Sequence, residues 1–208
     1  MFNCVIFDID GTLIDSKEAN SESLQKVALQ YTGKLYSLQE LAFSFALPAT
    51  ETLSRLGIED VDGAFALWTD IFHNELGHKI KLFYGVKETL LALNKHGVFL
   101  GVVTSRAQHQ YVLVEHLFSS CDFFKQIITV DDVEEPKPSP MPILHLLEKS
   151  GCSKEKTIFI GDSVSDMKSA LAAGVAFGLA AWGNVDKKNF AHAHYYFDTP
   201  QQLLELLN

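Results

Sequence analysis

Apolar and polar positions alternate along the chain in two different ways. Five short runs are apolar on both faces and rich in β-branched or aromatic residues: Cys4 to Ile9, Val98 to Thr104, Gln126 to Val130, Thr157 to Ile160 and Val175 to Ala181. Such runs predict strands buried on both sides, as in a parallel sheet covered by helices. Between them apolar residues recur at helical spacing, first as Val86, Leu90 and Leu93, then as Ile143, Leu146 and Leu147, then as Met167, Ala170, Leu171 and Gly174. From residue 83 onward strand and helix therefore alternate.

Residues 15–81 read differently. Leu24, Val27, Ala28 and Tyr31 stand at i, i+3, i+4 and i+7, and further helical periods cover Leu38 to Phe45, Thr50 to Leu56 and Ala64 to Leu76. The stretch contains no strand pattern, yet one predicted strand precedes it and four follow. A parallel sheet needs its first strand as much as the others, so the helical block is an insertion. The expected fold class is α/β: a core of residues 1–14 and 82–208, with a small all-helical domain of residues 15–81 inserted after the first strand.

Composition narrows the functional classes. A chain of 208 residues with 47% hydrophobic and 21% charged residues is globular, which excludes disordered, fibrous and disulfide-scaffold readings. Its 17 basic and 26 acidic residues leave a net charge of −9, a field that repels nucleic acid and anionic membranes, so neither is an expected partner. Cys4, Cys121 and Cys152 form no CxxC pair and are expected to be reduced thiols. The first residues carry no basic segment and no window reaches about 18 uninterrupted apolar residues, so no cleaved leader or membrane span is expected, and the expected location is cytoplasmic. A monomer is compatible with the sequence. Thr32-Gly33-Lys34 lacks the upstream glycine of a phosphate-binding loop, and no GxGxxG opens a helix. His73 and His78 miss the spacing of a helical zinc pair, and His192-Ala193-His194 reads as a surface turn.

The chemistry concentrates at predicted strand ends. In Phe7-Asp8-Ile9-Asp10-Gly11-Thr12-Leu13, an apolar strand runs into two carboxylates two positions apart, which strand alternation places on one side. Gly11 then permits a tight turn. Asp162 and Asp166 leave another strand end in Gly161-Asp162-Ser163-Val164-Ser165-Asp166. Carboxylates from two strand edges, in the crevice where open α/β sheets bind ligands, suit a hard cation such as Mg2+. Thr104-Ser105-Arg106 brings a hydroxyl and backbone amides to a third strand edge, suited to phosphoryl oxygens. Lys137, between prolines in Glu135-Pro136-Lys137-Pro138-Ser139-Pro140, offers one ammonium on a stiffened loop.

With these residues in order, the chain resembles the haloacid dehalogenase-like hydrolases: FDIDGT matches the first family motif, Thr104 the second, Lys137 the third and GDSVSD the fourth. The insertion resembles the helical cap of the subgroup that holds phosphoglycolate phosphatase-like and β-phosphoglucomutase-like enzymes. The resemblance implies a three-layer Rossmann-like core and Mg2+-dependent hydrolysis of a small phosphorylated metabolite through an aspartyl-phosphate. It implies Asp8 as nucleophile and Asp10 as general acid and base. It also implies Thr104, with the amides of Gly11 and Ser105, around the phosphoryl oxygens beside Lys137. Mg2+ is expected to be held by Asp8, the main-chain carbonyl of Asp10, and Asp162, with Asp166 ordering either Lys137 or the water around the ion. An acid at position 10 favours phosphate over halide or phosphonate chemistry. A sugar phosphomutase is the alternative within the family, although Ala49 stands where that branch has an arginine. A receiver-type phospho-acceptor without turnover is the alternative outside it. Lys34, Thr50, Thr52 and Arg55 are the candidate substrate contacts of the insertion, with Thr50 and Arg55 foremost. The insertion lacks the glycines of phosphoglycolate phosphatase-like caps in Phe43-Ser44-Phe45-Ala46-Leu47.

Overall fold

The computed structural model describes residues 1–118, 123–183 and 185–207. Cys121 lies outside them. The chain divides into two compact units, one of residues Met1–Asp15 with Leu82–Asn208 and one of residues Ser16–Lys81. In chain order the elements are β1 (Cys4–Phe7), α1 (Lys17–Thr32), α2 (Ala49–Arg55), α3 (Val61–Asp70), α4 (Val86–Lys95), β2 (Phe99–Val103), α5 (Gln108–Glu115), β3 (Gln126–Ile128), α6 (Met141–Ser150), β4 (Thr157–Gly161), α7 (Val164–Ala173), β5 (Ala176–Ala180) and β6 (Tyr195–Phe197). Short 3-10 turns join several of them, and Pro200–Leu207 forms the last.

The larger unit is an α/β fold with one six-stranded parallel sheet in the order β3-β2-β1-β4-β5-β6. Phe7 sits beside Val102 on one side and Ile160 on the other, which makes β1 a central strand. All four residues of β1 are buried, as expected of a strand covered on both faces. Alternation then sorts its side chains. Cys4 and Ile6 join Phe159, Phe177 and Leu179 against Ile143 and Leu146 of α6 and Met167 and Ala170 of α7. Phe7 points to the opposite face, among Val86, Thr89 and Leu90 of α4 and Leu203 of the last turn. These are the three layers of a Rossmann-like core.

Each predicted strand exists, though the ends differ. β1 stops at Phe7 because Ile9 turns the chain: its carbonyl accepts from Leu13 N at 2.8 Å and Ile14 N at 3.0 Å. Gly174 is not part of α7 but ends it with φ +76. Besides the two-residue strands Ile14–Asp15 and Lys81–Leu82, which the predicted pattern lacks, two longer elements have no counterpart in it. β6 is three residues long, with Tyr195 and Tyr196 left partly exposed at the sheet edge, and α5 buries only Tyr111 and Val114 while Val112 and Leu113 face solvent.

The smaller unit is helical, as its pattern predicts. Leu24, Val27 and Ala28 of α1 are fully buried, while Tyr31 at the end of the period is partly exposed and its hydroxyl lies 3.4 Å from Oδ2 of Asp60. Gly33 ends α1 with φ +69, its amide donating to Leu29 O at 2.9 Å, and Asp60 caps α3 by accepting from Gly63 N at 3.0 Å. Around residues 38–45 only a 3-10 turn forms, Ala42–Ala46. Lys79 bridges Glu18 and Glu22 at 2.7 Å, and Lys26 pairs with Glu75.

Candidate active site

The sheet order reverses between β1 and β4: successive strands run one way from β1 and the other way from β4. Ligands of open α/β sheets bind at such a reversal, beyond the carboxyl ends of the strands. Asp8 follows β1 there and Asp162 follows β4. The amide of Asp8 donates to Ile160 O at 2.9 Å, which continues the ladder one residue past the strand and fixes the nucleophile candidate at its edge.

Asp8 is buried, and its Oδ1 accepts from Lys137 Nζ at 2.7 Å. The same ammonium donates to Oδ1 of Asp166 at 2.6 Å and lies 5.6 Å from the Phe159 ring centroid. The lysine loop is itself anchored, since Ser169 Oγ of α7 donates to Ser139 O at 2.7 Å. Asp166 is fully buried, and its other oxygen accepts from Ser163 N at 3.0 Å and Ser163 Oγ at 2.6 Å. Ser163 Oγ accepts in turn from Asp166 N at 3.1 Å. Asp166 is thus the far half of a capping box at the start of α7 as well as a partner of Lys137.

Gly11 does something other than the sequence suggests. Its amide, expected to face phosphoryl oxygens, donates to Ile14 O at 2.9 Å and closes the turn. What the site uses is its missing side chain: φ is +78, and a Cβ here would stand 2.0 Å from Oδ2 of Asp162. The turn is further held by Trp182, whose Nε1 donates to Thr12 O at 2.8 Å. Because β1 ends at Phe7, strand alternation is not what relates Asp8 to Asp10. Asp10 lies in the turn, and both of its carboxylate oxygens are held by Arg106 at 2.7 and 2.8 Å.

At the third strand edge Thr104 is buried, its amide donating to Ile128 O at 3.0 Å and its Oγ1 accepting from Arg106 N at 3.1 Å. The hydroxyl keeps its own proton to donate. Ser105 beside it is exposed. In the smaller unit Thr50 and Arg55 are exposed, and the Arg55 guanidinium lies 4.4 Å from the Phe43 ring centroid. Thr52 is fully buried with its hydroxyl unpartnered, and Lys34 lies 3.6 Å from Glu40 and 4.0 Å from the Tyr36 ring centroid. Arg106, Ser163 and Trp182 are the site residues that sequence reasoning missed. Only Arg106 carried a signal, as a cation two residues past the candidate hydroxyl.

Electrostatically the centre is over-supplied with acid. Asp8, Asp162 and Asp166 offer oxygens that all lie within 4.8 Å of one another, around the single ammonium of Lys137. Burial pushes the Asp8 carboxyl up to about 7 against the pull of Lys137, with Asp166 and Asp10 adding to the rise. Asp162 keeps some contact with solvent, yet dehydration by the packed atoms around it, then the charges of Asp166 and Asp8, raise it well above the usual range. Burial alone pulls the Lys137 ammonium down, but Asp166 and Asp8 outweigh it and raise it above its ordinary value. Clustered hard oxygen donors short of positive charge fit a divalent cation of the Mg2+ type.

A family model described as haloacid dehalogenase-like hydrolase matches residues 5–180. Pyrophosphatase PpaX of Halalkalibacterium halodurans is 33% identical over 174 residues, spanning 83% of this chain and 80% of that protein. Among solved structures, a Lactobacillus plantarum protein assigned as a phosphoglycolate phosphatase is similar with TM-score 0.87 and 32% identity over 99% of both chains. A subfamily IA, variant 1 hydrolase of the same superfamily from Geobacter sulfurreducens has TM-score 0.78 and 30% identity, covering 100% of this chain and 97% of its own. No helix among the described residues is long and apolar enough to cross a membrane.

Proposed function

Because the chain belongs to the haloacid dehalogenase-like hydrolases, we propose that it removes phosphate from a small phosphorylated metabolite through an aspartyl-phosphate on Asp8, with Mg2+ as cofactor. The observation that carries the reading is the buried Asp8 carboxylate, 2.7 Å from Lys137 and grouped with Asp162 and Asp166 where the sheet order reverses.

A carboxylate approaching a phosphate dianion meets like charge, so the chemistry is one of neutralisation and positioning. An oxygen of Asp8 attacks phosphorus as the bond to the ester oxygen breaks, and Asp10 protonates the departing alkoxide. Asp10 then takes a proton from water, which attacks the same phosphorus; the bond to Asp8 breaks, and phosphate leaves. Lys137 keeps Asp8 oriented and offsets charge on the phosphoryl group, to which Thr104 donates from its hydroxyl. Asp8, the main-chain carbonyl of Asp10, and Asp162 are the candidate ligands of Mg2+, which when bound supplies further charge neutralisation on the phosphoryl oxygens. Asp166, whose two oxygens are engaged by Lys137 and Ser163, suits the holding of Lys137 better than direct ligation. Residues 16–81 are the cap, and Thr50 and Arg55 are its candidates for substrate choice.

The likeness to pyrophosphatase PpaX makes inorganic pyrophosphate the first natural substrate to assay, followed by a panel of phosphorylated metabolites. The general test is turnover of p-nitrophenyl phosphate with Mg2+ and with EDTA. Turnover with Mg2+, lost in EDTA and reduced at least ~10³-fold in Asp8→Asn, is the expected result. An Asp8→Asn protein as active as wild type, or no Mg2+-dependent turnover at high enzyme concentration, overturns the reading.

A further inference from the structure

The side chain of Asp10 is 39% exposed, whereas that of Arg106, which grips it, is 7% exposed. An aspartate on a tight turn with an open side chain ordinarily samples several rotamers. Here the fork of Arg106 engages both oxygens, Nε to Oδ2 at 2.7 Å and Nη2 to Oδ1 at 2.8 Å. Arg106 itself is held at its backbone and at its guanidinium. Arg106 N donates to Thr104 Oγ1 at 3.1 Å, Arg106 O accepts from Val130 N at 3.1 Å, and Nη1 donates to Gln110 O at 3.3 Å in the first turn of α5. The end of β2 and the segment after β3 thus hold the Arg106 backbone, and the start of α5 holds its guanidinium.

From this geometry we propose that Arg106 is a positioning residue for the acid and base of the reaction: it holds the plane of the Asp10 carboxylate in one orientation for proton exchange with the leaving oxygen and then with the attacking water. A lysine reaches with one point charge and cannot hold both oxygens in one plane. Arg106 also ties this geometry to Thr104, since its own amide donates to the hydroxyl that faces phosphate. The inference rests on the phosphatase reading above.

The test separates proton transfer from phosphate binding by the leaving group. Wild type, Arg106→Lys and Arg106→Met are compared by kcat/KM on p-nitrophenyl phosphate, whose leaving group needs little protonation, and on glycerol phosphate, whose alkoxide needs it. The expected loss on glycerol phosphate exceeds that on the aryl ester by ~10-fold or more, with Arg106→Lys between the other two. An initial burst of nitrophenolate is also expected in Arg106→Met, because the base for the second step is misplaced. In an Asp10→Asn background the Arg106→Met change should have little further effect on either ester, since the residue acts through Asp10. Equal losses on both esters without a burst, or the same loss in both backgrounds, assign Arg106 to phosphate binding or plain structure and overturn the proposal. If Arg106→Met does not fold, Arg106→Lys carries both comparisons. A wild-type protein inactive on both esters with Mg2+ overturns the phosphatase reading itself, and this proposal with it.

Discussion

Asp8 and Asp162 are held in a setting that favours their neutral forms, and this links proton, metal and stability. A carboxyl raised by folding, as Asp8 is to about 7, contributes stability that is fully present below its unfolded value and lost as pH rises through 7. Asp162 acts with the same sign. Without divalent ions the protein should therefore lose this part of its thermal stability between about pH 4 and 8. Mg2+ reverses the trend, because it binds the charged forms and must displace their protons. Calorimetric or thermal-shift titrations should show a larger Mg2+-induced rise in Tm at pH 8 than at pH 5.5. Affinity should fall about tenfold per pH unit below 7 for each proton displaced. Equal stabilisation at both pH values would mean that the ion binds away from Asp8.

Between residues and the whole chain, the glycine of the turn after β1 shows how a turn makes a site. Gly11→Ala would force a Cβ against Asp162 and strain a left-handed backbone at once. It should lower stability by ~1–3 kcal/mol and weaken Mg2+ binding as well. Gly33, with φ +69 and nothing within 4 Å of its virtual Cβ, provides the contrast. Gly33→Ala should cost about 1 kcal/mol in denaturant melts and leave the Mg2+ titration unchanged. If both variants weaken Mg2+ binding alike, close approach to Asp162 is not what Gly11 supplies. The same scale shows what was legible in the sequence. Strands buried on both faces announce themselves, and so did the acids and the lysine at their ends. β6 did not, because its three aromatic residues stand alone between His194 and Asp198, whereas the equally short edge strand β3 lies in the β-branched run Ile127-Ile128-Thr129-Val130; α5 did not, because its Val112 and Leu113 point outward and blur the helical period. The grip of Arg106 on Asp10 joins residues 96 positions apart, a relation that local pattern does not encode. The Gly11 amide was misread because local pattern shows that a turn occurs and not which of its amides close it.

For the molecule as a whole, the helical unit leaves and rejoins the larger one at neighbouring points: Phe83 N donates to Leu13 O at 3.0 Å. All six strands of the parallel sheet, and all four aspartates of the site, belong to the larger unit. Replacing residues 16–81 by a short Gly/Ser bridge closes a small gap at little entropic expense. The shortened chain is expected to unfold cooperatively with an α/β circular dichroism spectrum, and Mg2+ should still raise its Tm. A shortened chain without a cooperative transition would show that the sheet needs the helical unit to fold.

The register of β1 also has a consequence during synthesis. Cys4 pairs with Phe99 on one side and with Thr157 on the other, so the central strand is made first but gains its second neighbour only after more than two thirds of the chain has been made. At ~5–20 residues per second it waits roughly ten to thirty seconds for β4 to be made. The contacts of residues 16–81 are local by comparison, so the helical unit can fold while the sheet is still a set of unpaired strands. On the ribosome, the second unit to be entered is the first to be finished.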